Sequence, residues 1–162
     1  MNFGDNHGCD GGWTYDAFTY YETSAAMHES DYPYTAKTGL KCKYDAAEGV
    51  VNLSSHVFVD KNPTAMRQAV SNMPMAVSIR ASSDVFHQYT SGVISGPECG
   101  TDTNHAVVTV GYGTDSASGL DYWLVRNSWG EDWGANGFVK IAIEDGLGVC
   151  GINIRPLYPI VA

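Results

Sequence analysis

No stretch of this 162-residue chain approaches the ~18–20 consecutive apolar residues that a membrane-spanning helix needs. Basic residues are scarce. Nine Lys and Arg stand against 18 Asp and Glu, a formal net charge of −9, and this argues against nucleic-acid binding, which calls for a basic footprint. Met1-Asn2-Phe3-Gly4-Asp5 has neither a basic start nor an apolar stretch, so it does not read as a signal peptide. The four cysteines include no Cys-x-x-Cys half-site, and His7 near Cys9 has no matching second pair, so no metal site is expected. Gly111-Tyr112-Gly113 is too short to cradle a phosphate, and the acidic residues show no catalytic pairing. No cofactor is therefore expected. Repeats, low-complexity segments and flexible linkers are missing as well.

With 44% hydrophobic residues, the chain is long enough for one sizeable core. Ala17, Phe18, Tyr21 and Ala25 recur at helical spacing and predict a helix over 13–27. Pro, Gly, Tyr and Lys then make 31–47 rich in loops. Val50-Val51 and Val57-Phe58-Val59 read as strand. Asn62-Pro63 is a helix start, with Asn as cap and Pro in the first turn. Strands are predicted at 75–80, 105–112, 121–127 and 137–143, with Gly-rich turns between them. Asn52-Leu53-Ser54 is a glycosylation sequon, relevant only in a secreted protein.

Two segments carry chemistry. Asn104-His105-Ala106-Val107-Val108-Thr109-Val110-Gly111-Tyr112-Gly113 puts a histidine at the head of an apolar, β-branched run. Tyr122-Trp123-Leu124-Val125-Arg126-Asn127-Ser128-Trp129-Gly130 ends a strand-like run in an asparagine followed by small and aromatic residues. A His to move a proton and an Asn to hold its imidazole are two parts of a nucleophilic-catalysis set; an activated Cys or Ser is the third. The four cysteines allow three pairings, and four free buried thiols is a further reading that spacing alone leaves open.

These segments resemble the papain family of cysteine peptidases, nearest its cathepsin L-like members, and the likeness runs almost end to end. Gly8-Cys9-Asp10-Gly11-Gly12, with Ala17-Phe18 and Tyr20 behind it, is similar to the family's Gly-Cys-x-Gly-Gly turn. Asp31-Tyr32-Pro33-Tyr34 and Cys42-Lys43-Tyr44 match its Tyr-Pro-Tyr and Cys-x-Tyr pair. Pro74-Met75-Ala76-Val77-Ser78-Ile79, Phe86, Tyr89, Trp129-Gly130, Trp133-Gly134, Cys150-Gly151-Ile152 and Tyr158-Pro159 follow in order. The resemblance covers the C-terminal two-thirds of a family catalytic domain. The family's nucleophilic cysteine, and a glutamine that helps bind the oxyanion, lie upstream of the matched part.

The resemblance implies an α+β, papain-like fold. Residues 1–55 would be the C-terminal part of a helical left domain, incomplete here, and residues 56–162 an antiparallel β-barrel-like right domain. It implies a thiol endopeptidase in which His105 is the general acid/base, Asn127 orients it, and Trp129 covers the bond between them. Gly11 and Gly12 would pair with substrate backbone. Trp13, Ser78, Asn104, Ala106 and Arg155 would line the pocket for the side chain two residues before the scissile bond. Cys99 and Cys150 match a disulfide pair, whereas Cys9 and Cys42 match positions whose partners lie upstream. No cysteine of this chain is then left as nucleophile, and the chain alone is expected to be inactive. Implied partners are a peptide or protein substrate, an N-terminal segment bearing the catalytic Cys, and cystatin-type or propeptide inhibitors; the implied compartment is lysosomal or extracellular. Two other readings stand beside this one: a non-catalytic papain-like homologue that binds peptides or protein partners without cutting, and a structural protein using the fold.

Overall fold

A computed structural model describes residues 4–38 and 41–162 of the chain. Met1-Asn2-Phe3, part of the stretch read above for a leader, lies outside them. The chain divides into two units, one running to Val57 and including Pro159–Ala162, the other Phe58–Tyr158.

The first unit opens its regular structure with α1 (Thr14–Thr23), which has no side-chain cap and no buried residue. The helix predicted over 13–27 stops early. Ser24 turns extended, at φ −139° and ψ 106°, because Ala26 and Met27 are taken into a short strand. That strand, β1 (Ala26–Met27), pairs antiparallel with β2 (Gly49–Val51). After Asn52 comes β3 (Leu53–Phe58). Glu22 of α1 reaches His56 of β3, with Oε1 2.8 Å from Nδ1. The chain's last residues return here: Ser54 Oγ donates to Ile160 O at 3.2 Å, and Ala162 N to Asn52 O at 3.0 Å.

The second unit begins with α2 (Pro63–Val70), capped as its sequence predicts, Asn62 Oδ1 accepting from Ala65 N at 2.9 Å. Met66 and Val70 form its buried face. Next come β4 (Met75–Ile79), buried at every position, and the one-turn helix α3 (Asp84–His87), capped by Ser83 and burying Phe86. They are followed by β5 (Val93–Ile94), β6 (His105–Thr114), β7 (Asp121–Arg126), β8 (Phe138–Ala142) and β9 (Leu157–Val161), which carries the chain back to the first unit. Within the second unit the strand order is β9-β4-β6-β7-β8-β5. Met75, Val77, Ile79, Val107, Trp123, Val125, Val139 and Ile141 alternate onto one face and form the core with Met66, Phe86 and Ile152.

The expected barrel-like, largely antiparallel sheet is present. The sheet is open, and β5 pairs parallel with β8, Val93 against Lys140 and Ile94 against Ile141. Two local features shape the central β6–β7 hairpin. A register step between Thr109 and Gly111 inserts one residue, and Asp115 braces the turn by accepting from Ser118 N at 3.0 Å and from Lys140 Nζ at 2.7 Å.

Candidate active site

His105 opens β6 opposite Ile79 of β4. The two-residue period of a strand sends His105, Val107 and Thr109 to one face. On β7, Trp123 and Val125 share the inward face, and Asn127 is the next residue in that alternation. The two polar side chains therefore meet: His105 Nε2 lies 2.9 Å from Asn127 Oδ1. The same oxygen accepts from Ser128 N at 2.8 Å. An amide oxygen only accepts, so the proton of the neutral ring sits on Nε2, and Nδ1 keeps its lone pair for other work.

Asn127 is 8% exposed, and its backbone is fixed as firmly as its side chain. Its N–H donates to Gly137 O at 2.9 Å. Gly137 lies at φ +84°, and at Gly134, φ +62°, a Cβ would stand 2.7 Å from Phe138 O, so this loop accepts no larger residue without strain. Asn127 Nδ2 is buried without a hydrogen-bond partner among the described residues. Trp129 lies over the imidazole, with ring centroids 5.2 Å apart and planes 29° from parallel. Phe86 at 5.5 Å and Trp133 at 5.3 Å meet the indole edge-on. The indole itself remains 39% exposed.

Cys99 and Cys150 form a disulfide across a sequence separation of 51, both buried. It ties the loop before β6 to the loop before β9, and Arg80 N–H donates to Cys150 O at 2.8 Å beside it. The start of β6 is further held by Asn104, whose N–H donates to Ile79 O and whose Oδ1 accepts from Ala81 N, both at 2.9 Å. Ser78 is paired with Ala106 across β4 and β6, one residue out of phase with His105 and hence on the other face. Ser78 is buried, Ala106 and Asn104 are exposed, and Arg155 is half-buried. Gly11, Gly12 and Trp13 belong to the first unit, where Cys9 and Cys42 are free and exposed.

Sequence reasoning missed two residues here. Asn6 brackets Trp13, its Oδ1 accepting from Trp13 N and its Nδ2 donating to Trp13 O at 3.3 Å, and a Cβ at Gly12 would fall on its side chain. His87 is exposed at the end of α3, its ring stands 5.3 Å from Trp129, and its carbonyl accepts from Trp133 Nε1. No pattern in the sequence announces either contact. Among the described residues no group of His, Cys, Asp and Glu is arranged to hold a metal.

A family model described as papain family cysteine protease matches residues 2–160. The chain belongs to the papain family of cysteine proteases. It is 41% identical over 162 residues to cysteine endopeptidase RepA of Oryza sativa subsp. japonica, covering 97% of this chain and 42% of RepA. Macrodontain-1 of Ananas macrodontes is 40% identical, covering 95% of this chain and 71% of that protein. The structure of bromelain from Ananas comosus in complex with the E64 inhibitor superposes with a TM-score of 0.88 at 39% identity, over 96% of this chain and 73% of that one. The chain spans less than half the length of RepA. Papain-like architecture and a place among cysteine proteases follow for it directly.

Proposed function

We propose that this chain is the His- and Asn-bearing portion of a papain-like thiol endopeptidase, and that the nucleophilic cysteine is supplied by a segment outside it. The observation that carries the reading is the His105–Asn127 bond with its proton on Nε2. It leaves Nδ1 as the nitrogen that handles the reacting proton.

In the completed site, Nδ1 takes the thiol proton, and thiolate and imidazolium coexist as an ion pair. The thiolate attacks the scissile carbonyl. Nδ1–H then protonates the leaving amine, an acyl-enzyme remains, and the neutral ring takes a proton from the water that hydrolyses it. Through both halves Nε2–H stays on Asn127, which keeps the ring from turning. Gly11 and Gly12 pair with substrate backbone, since an extended peptide can approach where no Cβ intervenes. Family resemblance assigns Trp13, Ser78, Asn104, Ala106 and Arg155 to recognition of the side chain two residues before the cleaved bond. Family resemblance adds a lysosomal or extracellular setting, with cystatin-type or propeptide inhibitors as partners.

The purified chain should give no turnover of a fluorogenic dipeptide substrate and no labelling of Cys9 or Cys42 by an epoxide thiol inhibitor. Adding a cysteine-bearing segment from a relative should restore turnover, and His105→Ala should abolish it. Turnover by the chain alone, stopped by one equivalent of inhibitor, would overturn the assignment.

A further inference from the structure

The sequon Asn52-Leu53-Ser54 lies where two exposed apolar residues need cover. Leu53 is buried at 9% exposure, whereas Asn52 and Ser54 on either side of it face solvent, as strand alternation requires. Immediately before them, Val50 and Val51 are 52% and 42% exposed. They belong to β2, which among the described residues pairs on one side only, with β1. An apolar strand with a free edge invites pairing with another chain unless something bulky or charged obstructs it. No Lys, Arg, Asp or Glu stands between Gly49 and Val59.

We propose that Asn52 carries an N-linked glycan and that the sugar shields this edge. The reading rests on the secretory or lysosomal setting proposed above. The Asn52 amide nitrogen bonds to C1 of an oligosaccharide on a lipid diphosphate donor; the C1–O bond to the diphosphate breaks, the lipid diphosphate leaves, and the amide gives up one proton. Two features make the acceptor competent. The carbonyl that holds the Ser54 hydroxyl in the folded unit, Ile160 O, lies 106 residues downstream, so the hydroxyl is free while the chain is being threaded. In the folded unit Asn52 accepts from Ala162 N through its backbone carbonyl, and a substituted side chain leaves that bond intact.

The chain, with a cleavable secretory leader appended, is translated in the presence of microsomes. Protease-protected chains should migrate one glycan heavier and return to the lower size after endoglycosidase treatment. N52Q and S54A should stay at the unmodified size, and S54T should still shift. Removing the glycan enzymatically from the secreted chain should increase its concentration-dependent light scattering. Protected chains with Asn52 unmodified would overturn the site, and scattering unchanged by deglycosylation would overturn the shielding role. The leader supplies the route, so neither failure bears on the peptidase assignment, and loss of that assignment leaves the gel shift unaffected.

Discussion

Asn127 Oδ1 stands 2.9 Å from His105 Nε2 and can only accept from it. In the nucleophile-completed enzyme, Asn127→Ala should therefore lower kcat by about 10²-fold, the lower range of what a well-held proton carrier contributes, with KM little changed. In the chain alone, nitrogen NMR of His105 should show the Nε2–H tautomer, and Asn127→Ala should mix the two. An unchanged tautomer in the variant would mean that Asn127 does not orient the ring.

Asp115 supplies a pH-dependent brace. The hydrogen bond from Lys140, with further ones from Ser118, holds its carboxyl down at about 2. A carboxylate whose pKa falls on folding stabilises the fold above its unfolded value, and that contribution fades as pH drops from about 4 to about 2. Lys140 moves the other way, raised chiefly by its hydrogen bond to Asp115, so its contribution is present below its unfolded value and is lost as pH rises through the folded one. The hairpin brace is thus complete between about pH 4 and 10. Asp115→Asn should flatten the acid limb of a denaturation-versus-pH curve, and an unaltered limb would remove Asp115 from that role.

The disulfide between Cys99 and Cys150 spans 51 residues and should contribute about 4 kcal/mol in the chain-entropy picture. Replacing both cysteines by alanine should lower the urea midpoint accordingly. Non-reducing peptide mapping should recover the linked 99 and 150 peptides, with Cys9 and Cys42 alkylated. A Cys42–Cys150 link would contradict the observed pairing.

Arg155 should set side-chain preference two residues before the cleaved bond. Its guanidinium suits a carboxylate and opposes another base. In the completed enzyme a Glu-bearing substrate should be cleaved about tenfold better than its Leu counterpart, the worth of one charged hydrogen bond. Arg155→Ala should reverse that order. If Leu leads before the substitution and the order stays the same after it, Arg155 is not a specificity residue.

Much of the fold was legible because its signals are local. The Asn62-Pro63 start of α2 needs only neighbouring residues, and the apolar runs of β4, β6, β7 and β8 announce themselves by composition. What was missed is short or non-local. Val93-Ile94 is too brief to show a period, Asp84–His87 is a single turn, and Pro159 disguises β9, since proline speaks against a strand. The parallel joining of β5 to β8 depends on residues nearly fifty apart.

By itself, the sequence determined the residue types available for catalysis, their placement at the ends of two strands, and the family to which they belong. Motifs of this kind survive in one dimension because each is bound to its immediate neighbours. Only the tertiary structure decided which ring nitrogen of His105 is occupied, that Ser128 shares the Asn127 oxygen, that His87 leans on Trp129, and that the side chains of Val50 and Val51 reach the surface. Each of these depends on distance and direction between segments far apart in the chain, which the strand register and the loop glycines set.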